Sequence, residues 1–388
     1  MSLNKTQLLE GSQAIAQTIK NLEPSVISAY PITPQTHIVE TLAKYKAEGQ
    51  ANYEYVRAES EFAAASIILG ASATGSRVYS ATSSQGLLLM TEVVFNIAGL
   101  RLPIVMTCAN RAVSAPINIF NDQSDVMAIR DAGWILLFAA NHQEAVDLHV
   151  IAYKLAEKLN LPVMVNVDGF IITHSYENVI IPDSKLIRRY LPDYNPTLGS
   201  YLDPRLPITL GAFFTPEYYQ ETRQKLHQDL LASQSIIKQE YVLYKKLSQR
   251  KELSALKPQI DNGLVEYYGP NAPDLVIAAM GSVTGTIQEA IKKEKNVGLL
   301  KIKSYRPFPK EEINKILAKA KNLAVIEKAI SLGEMGPLYS DIKAGLGTHK
   351  LNITNHIVGL GGRDVTQKII KDIVKFSKKK AKEVKFWG

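Results

Sequence analysis

A carboxylate between a strand pattern and a helix pattern is the residue best placed to do chemistry. Residues 53–56 (YEYV) suit a β-strand, and the alanine-rich run at 62–65 suits a closely packed helix. Glu61 falls at the join. A carboxylate beside the partial positive charge of a helix start stays ionised and can still accept a hydrogen bond from a ring nitrogen.

Two other acidic residues, Glu54 and Glu59, lie close to Glu61 and remain alternative acceptors. Glu54 falls within the predicted strand, and Glu59 precedes Ser60, which is the predicted N-cap of the helix. All three can also be read as ordinary turn residues. Position favours Glu61 because it alone falls in the first turn of the predicted helix.

An acceptor of this kind is what thiamine diphosphate chemistry requires. A glutamate bonded to N1′ of the aminopyrimidine promotes the imino tautomer, whose nitrogen removes the C2 proton of the thiazolium ring. Residues 53–131 read strand, acidic turn, helix, strand, Ser/Gly turn, helix, strand and then arginine. That layout is typical of one half of a thiamine diphosphate site, so we predict that Glu61 contacts this cofactor.

Thr33 and Arg111 each follow a predicted strand, at the end where open α/β sheets bind ligands. A guanidinium can hold a carboxylate through two hydrogen bonds and stays charged at any working pH. Both residues also have interpretations without function. Thr33 can be the N-cap of a helix that begins at Pro34, and Arg111 can form a surface ion pair.

The elements that must position these residues alternate between strand and helix, which predicts an α/β fold with a doubly wound parallel sheet in the first 175 residues. Recurring prolines over 178–214 predict an extended connector, and a long polar helix follows at 216–250. The alternation then resumes, so we predict a first domain at 1–257 and a smaller α/β domain at 258–388. The predicted strands are 25–29, 53–56, 77–81, 104–108, 135–139, 163–167, 275–279, 297–302, 323–326 and 355–358.

Composition favours a cytoplasmic protein that is neither secreted nor membrane-spanning. The first six residues lack the basic start and apolar stretch of a signal peptide, and polar residues interrupt the most apolar window, 86–100.

The formal charge is +8, but residues 367–388 carry eight lysines against two acids and so contribute +6 of it. This lysine-rich end is interpreted as a solvated face or a docking surface for an acidic partner. Nucleic-acid binding is disfavoured because no arginine is interleaved with the lysines of this segment.

Cys108 is the only cysteine. One cysteine excludes an internal disulfide, a four-cysteine zinc site and any iron–sulfur cluster built from this chain alone. Since Cys108 follows an apolar run in a predicted buried strand, we interpret it as a core residue rather than a reactive thiol.

Nine segments, in the same order along the chain, resemble the alpha subunit of pyruvate:ferredoxin oxidoreductase, and together they extend over nearly the whole sequence. They are 30–34 (YPITP), 59–61 (ESE), 81–87 (ATSSQGL), 110–112 (NRA), 118–125 (NIFNDQSD), 167–170 (VDGF), 281–286 (GSVTGT), 305–309 (YRPFP) and 358–366 (VGLGGRDVT).

The resemblance implies a thiamine diphosphate-binding domain of the pyrimidine type followed by a smaller domain like the C-terminal domain of transketolase. It implies conversion of pyruvate, coenzyme A and oxidised ferredoxin into acetyl-CoA, carbon dioxide and reduced ferredoxin. By the same resemblance Thr33 and Arg111 contact the substrate carboxylate, while Ser84 and Gln85 border the cofactor. Two alternatives remain open: an enzyme for branched-chain or other 2-oxoacids, and a structural subunit without a cofactor role.

The sequence lacks the motif that would bind the metal ion and the diphosphate, so we expect other chains to supply that part of the site. Thiamine diphosphate enzymes hold the diphosphate through a divalent ion bound by a Gly-Asp-Gly motif, and the sequence contains no such motif. We therefore expect a beta subunit to carry Mg²⁺ and the diphosphate side, and gamma- and delta-type subunits to complete the complex, with iron–sulfur clusters on these partners. No metal-ligating residue is predicted in this chain. The turn at 281–286 lacks the lysine of a P-loop, and a tight turn explains it equally well.

Overall fold

The structure is a computed structural model that describes residues 6–248, 257–347, 351–379 and 384–388. Most of the N-terminal segment, the last two residues of the helix predicted at 216–250, and residues 380–383 of the lysine-rich end lie outside these ranges.

The strands are β1 (Gln7–Glu10), β2 (Val26–Ala29), β3 (Glu54–Arg57), β4 (Val78–Thr82), β5 (Val105–Asn110), β6 (Ile135–Phe138), β7 (Val163–Asp168), β8 (Tyr176–Val179), β9 (Ile260–Asp261), β10 (Val265–Tyr268), β11 (Leu275–Ala279), β12 (Val297–Ile302), β13 (Ser304–Arg306), β14 (Asn322–Glu327), β15 (Asn352–Ile357) and β16 (Val384–Phe386). The α-helices are α1 (Gly11–Asn21), α2 (Thr36–Ala47), α3 (Glu61–Ala73), α4 (Ser84–Leu89), α5 (Thr91–Gly99), α6 (Ser124–Ala128), α7 (His142–Leu159), α8 (Ser184–Tyr190), α9 (Pro216–Ser248), α10 (Val283–Ile291), α11 (Lys310–Leu317), α12 (Pro337–Gly345) and α13 (Gln367–Ser377).

The first sheet has the strand order β13-β6-β7-β5-β4-β2-β3, and every pairing in it is parallel except that of β13 with β6. Every residue of β4, β5, β6 and β7 is buried, as expected for central strands covered by helices on both faces. Strands predicted at 25–29, 53–56, 77–81, 104–108, 135–139 and 163–167 are all present, with bounds shifted by at most two residues.

The second sheet has the order β16-β15-β14-β11-β12-β10-β9 and is parallel from β16 to β12. Its four predicted strands are present, two of them with the predicted bounds. Strand β13 also comes from the second half of the chain, yet it pairs with β6 and so extends the first sheet.

Two local predictions were wrong. Thr33 does not cap a helix that begins at Pro34, because α2 begins at Thr36 and Gln35 occupies the N-cap position. The proline-rich segment is not extended throughout, since it contains the short helix α8, whose N-cap Asp183 accepts a hydrogen bond from the Leu186 amide.

A buried charge cluster joins the second sheet to helices α7 and α9. Lys303, which is 1% exposed, binds Glu266, lies 2.9 Å from Asp261 and donates to the Tyr241 hydroxyl. Lys301 reaches Glu144 at the start of α7. Pairing each buried ammonium with carboxylates offsets the cost of removing these charges from water.

Candidate active site

Each residue predicted to do chemistry lies just beyond the carboxyl end of a neighbouring strand in the first sheet. Thr33 follows β2, Glu61 follows β3, Ser84 and Gln85 follow β4, and Arg111 follows β5. Since these strands are parallel and adjacent, their carboxyl ends share one edge of the sheet. The fold thus brings together side chains that are up to 78 residues apart in sequence.

Glu61 is the first residue of α3, as the sequence predicts. Ser60 caps the helix by accepting a hydrogen bond from the Ala63 amide at 3.1 Å. The Glu61 side chain is buried, with 8% of the residue exposed, whereas Glu54 and Glu59 are exposed. The structure therefore separates the three candidate acids by burial and leaves Glu61 alone at the buried helix start.

The close packing of Glu61 against the start of α4 requires glycine at position 86. A Cβ atom built at Gly86 would lie 2.7 Å from Glu61 Oε1 and 2.6 Å from Thr82 Oγ1, so a larger residue there would displace both groups. Within the described ranges, Thr82 Oγ1 and Gln85 Nε2 are buried and have no hydrogen-bond partner. A buried carboxylate with orphaned polar atoms beside it fits a planar heterocycle that carries both donors and acceptors, such as an aminopyrimidine.

The Arg111 guanidinium spans the site through bonds to neutral oxygen atoms. Nε donates to the Asn118 carbonyl at 3.1 Å, Nη1 to the Thr33 carbonyl at 2.8 Å, and Nη2 lies 3.5 Å from Gln85 Oε1. Among the described residues no carboxylate forms a salt bridge with it, which contradicts the surface ion-pair interpretation. Burial lowers the pKa of Arg111, and nearby Asp125 partly opposes this shift. An anionic ligand would supply the missing countercharge.

Ser84 and Gln85 begin α4, directly above β4. The Ser84 hydroxyl lies 2.5 Å from both Gln85 Oε1 and the Ala112 carbonyl. Gln85 Oε1 therefore faces Ser84 and Arg111. The Gln85 Nε2 atom is buried in the site and donates no hydrogen bond to a described residue.

Asp125 organises this edge of the sheet, and sequence reasoning missed it. It is fully buried and accepts hydrogen bonds from the backbone amides of Ser84 and Arg111, each at 3.0 Å, and from Asn110 Nδ2. Burial raises its pKa to about 6, although these donors act in the opposite direction. Asp125 lies in the first turn of α6, at the end of a polar segment whose composition alone did not distinguish it from its neighbours.

Asp125→Asn is expected to lower the free energy of unfolding by about 1 to 3 kcal/mol, because an amide replaces one acceptor oxygen with a donor that faces other donors. Chemical denaturation of the full chain would measure the change. Asp131→Asn is the matched control, since the Asp131 side chain is 73% exposed and its loss should cost about 0.5 kcal/mol or less. Equal effects of the two substitutions would contradict the organising role of Asp125.

The second half of the chain supports the loop at 114–125, which is rich in Asn, Asp and Ser. Asn118 Nδ2 donates to the Gly361 carbonyl at 3.0 Å, and the Gly362 amide donates to the Asn121 carbonyl at 2.7 Å. Gly362 has φ +80°, and a Cβ there would lie 2.4 Å from that of Phe120, so the close approach requires glycine. The Asn118 carbonyl also accepts a hydrogen bond from Arg111 Nε. The contacts between the loop and the second half of the chain therefore help to hold the Arg111 guanidinium in place.

Asp168, at the end of β7, binds the second sheet to the same region. It accepts from the Ser282 hydroxyl at 2.5 Å and from Gln123 Nε2 at 3.1 Å, and Lys328 Nζ lies 3.5 Å away. Burial alone would raise the pKa of Asp168, but Lys328 and the hydrogen bonds outweigh it and lower the pKa. Gly281 has φ +70°, and a Cβ atom built there would lie 2.9 Å from Asp168 Oδ1, so the close approach of this turn requires glycine. This supports the tight-turn interpretation of 281–286.

Cys108 is fully buried in β5, and burial raises the pKa of its thiol well above the ordinary value. Since the thiolate is the reactive form, this environment agrees with the predicted core role.

The fold at this site is that of a thiamine diphosphate-binding oxidoreductase subunit. Residues 17–241 match the family described as "Pyruvate flavodoxin/ferredoxin oxidoreductase, thiamine diP-bdg", and residues 273–370 match "Pyruvate:ferredoxin oxidoreductase core domain II". The chain belongs to the pyruvate:ferredoxin oxidoreductase family. Both the predicted family and the predicted fold class are confirmed.

Known oxidoreductase subunits are similar to this chain over nearly its full length. Pyruvate synthase subunit PorA of Methanocaldococcus jannaschii is 44% identical over 99% of this chain and 97% of its own length. The PorA subunit of Methanosarcina barkeri is 43% identical over 97% of this chain and 94% of its own. Ketoisovalerate oxidoreductase subunit VorA of Pyrococcus horikoshii is 38% identical over 96% of this chain and 94% of its own. The prediction of an oxidoreductase subunit is confirmed.

A solved structure shares the fold. The 2-oxoglutarate:ferredoxin oxidoreductase from Magnetococcus marinus, solved with 2-oxoglutarate, coenzyme A and succinyl-CoA bound, superposes with a TM-score of 0.72 at 22% identity. The match covers 97% of this chain and 66% of that one.

In the part of the chain that the structure describes, we find no helix with the length and apolar character needed to cross a bilayer.

Proposed function

We propose that this chain is the alpha subunit of a multisubunit pyruvate:ferredoxin oxidoreductase. The complex would oxidise pyruvate in the presence of coenzyme A to acetyl-CoA and carbon dioxide and pass the electrons to ferredoxin. The observation that carries the proposal is the meeting of Glu61, Thr33 and Arg111 at one sheet edge in a chain 44% identical to a pyruvate synthase subunit. Greater identity to PorA than to VorA relatives favours pyruvate over a branched-chain 2-oxoacid.

Glu61 is proposed to accept a hydrogen bond from N1′ of the aminopyrimidine. When bound, thiamine diphosphate supplies a carbon nucleophile for the decarboxylation. Glu61 is suited to hold the negative charge that favours this activation, because it begins α3 and receives the field of the helix N-terminus. Gln85, with an unpaired buried Nε2, is proposed to border the same ring, with Ser84 fixing its orientation.

Arg111 and Thr33 are proposed to bind the substrate carboxylate. The two residues are already linked, because Arg111 Nη1 donates to the Thr33 carbonyl at 2.8 Å. The Thr33 hydroxyl is not used for helix capping and is therefore available to a ligand.

Partner chains are proposed to complete the enzyme. A beta subunit would hold Mg²⁺ and the diphosphate, and gamma- and delta-type subunits would help to carry the iron–sulfur clusters and contact ferredoxin. Support comes from the single cysteine and the missing Gly-Asp-Gly motif, together with the exposed apolar side chains of Phe62, Leu89 and Ile117 around the site. We also propose a cytoplasmic location.

Reconstitution tests the proposal. The chain combined with its partner subunits should reduce ferredoxin in a reaction that depends on both pyruvate and coenzyme A, and it should turn over pyruvate faster than 2-oxoisovalerate. Turnover by the isolated chain would contradict the division of the site between subunits. Faster turnover of 2-oxoisovalerate would favour the branched-chain alternative. Calorimetric titration of thiamine diphosphate into the complex tests the structural-subunit alternative, which predicts no binding.

Thr33→Val is expected to weaken the apparent affinity for pyruvate by about 1 to 2 kcal/mol, or about 5- to 30-fold, because one neutral hydrogen bond is lost. Thr33→Ser should be nearly silent. Neither substitution should change the melting temperature much, since α2 begins at Thr36 without help from Thr33. Loss of stability with unchanged substrate affinity would instead show that Thr33 has only a structural role.

A further inference from the structure

Three side chains with metal-binding chemistry meet outside the sheet edge described above. Glu10 ends β1, His37 lies in the first turn of α2, and His174 lies in the turn between β7 and β8. One potential ligand atom from each lies within 4.8 Å of those of the other two.

Existing hydrogen bonds already orient these groups. His37 Nδ1 lies 2.6 Å from Glu10 Oε1, and the Thr173 hydroxyl lies 2.7 Å from His174 Nδ1. The two imidazole rings are 4.5 Å apart between centroids, and the Phe170 ring packs against His174 with its centroid 4.7 Å away. For His174, the contact with Thr173 fixes the ring through Nδ1 and leaves Nε2 for a ligand, as is common for metal-binding histidines.

The cluster combines a buried carboxylate with a histidine that solvent can reach, as a metal site requires. Glu10 is buried, with 7% of the residue exposed, so its carboxylate needs a positive partner. The His37 side chain is 48% exposed, so an ion can enter from solvent and a water molecule can occupy a remaining coordination position.

We propose that Glu10, His37 and His174 bind a divalent transition-metal ion such as Zn²⁺. Two imidazoles and one carboxylate form a donor set that such ions prefer over Mg²⁺ or Ca²⁺. With metal–ligand distances of about 2.0 to 2.2 Å, tetrahedral ligand atoms lie about 3.3 to 3.6 Å apart. Because the three ligand atoms already lie within 4.8 Å of one another, small shifts of the side chains would bring them to that spacing.

The ion would brace the segment that carries Thr33. It would join the first turn of α2, four residues after Thr33, to the turn after Asp168 and to the end of β1. The site is distinct from the Mg²⁺ site expected on a partner subunit, and it does not depend on the proposed function.

Zn²⁺ binding to the full chain tests the proposal. The chain, stripped of metal with a chelator, is titrated with Zn²⁺ by calorimetry, and its melting temperature is measured with and without the ion. We expect one Zn²⁺ per chain and a higher melting temperature in its presence. His174→Ala should weaken binding by at least about tenfold and abolish the thermal shift.

His227→Ala is the matched control, because His227 is exposed on α9 and outside the cluster, and it should bind Zn²⁺ like the original chain. Glu10→Gln provides a second variant if His174→Ala does not fold, with circular dichroism as the check. The proposal is overturned if the original chain binds no Zn²⁺ at micromolar concentrations, or if the folded cluster variants bind it as tightly as the original chain.

Discussion

Glu61→Gln is expected to slow exchange of the C2 proton of bound thiamine diphosphate by about 10²- to 10⁴-fold. The amide keeps the shape of the side chain but lacks the charge that stabilises the activated form of the aminopyrimidine. Folding should change little, because the substitution adds no volume against Gly86 and leaves the Ser60 cap intact. Exchange measured by NMR after rapid acid quenching of the assembled complex gives the rate directly.

Glu59→Gln is the matched control for this experiment. Glu59 is two residues away and exposed, so its charge is screened by solvent and its loss should have a mild effect on exchange. If Glu59→Gln slowed exchange more than Glu61→Gln did, the assignment of the acceptor would be wrong.

Arg111→Ala is expected to weaken the apparent affinity for pyruvate by about 2 to 4 kcal/mol, or about 30- to 1000-fold, because a charged two-point contact is lost. Exchange of the C2 proton should persist, since Glu61 is unchanged. Steady-state kinetics together with the exchange assay would separate the two steps.

Two further variants sharpen this test. Arg111→Lys keeps the charge but loses the planar fork, so it should fall between Arg111→Ala and the original chain. Arg189→Ala, on the exposed face of α8, removes an arginine away from the site and should leave the kinetics unchanged. Normal pyruvate kinetics in Arg111→Ala would contradict the proposed substrate geometry.

The sheet that carries the site was predictable because its signals are local. Short apolar runs bounded by helical patterns marked β2, β3, β4, β5, β6 and β7 to within two residues. Once these strands are parallel, Thr33, Glu61 and Arg111 must emerge at one edge, so the meeting of these residues followed from the sequence. The roles assigned to these residues and the domain division between 257 and 258 stay predictions.

Local rules failed where tertiary contacts compete with propensity. Thr-Pro is a common helix start, yet α2 begins three residues after Thr33. The Thr33 carbonyl instead accepts a hydrogen bond from Arg111, which lies 78 residues away. A distant guanidinium contacts this segment, and nothing in residues 30–40 could have indicated it.

The sequence by itself determined the α/β architecture and the sheet edge that carries Glu61, Arg111 and Thr33, because strand and helix periodicity are written in neighbouring residues. It indicated the family through the nine segments that resemble it. Only the tertiary structure decided how that edge is supported. The Asp168–Lys328 contact spans 160 positions, and Glu10, His37 and His174 come from three separate elements. Such contacts arise from chain topology and have no period or spacing that a sequence displays, so a buried hub such as Asp125 becomes visible only when the chain is folded.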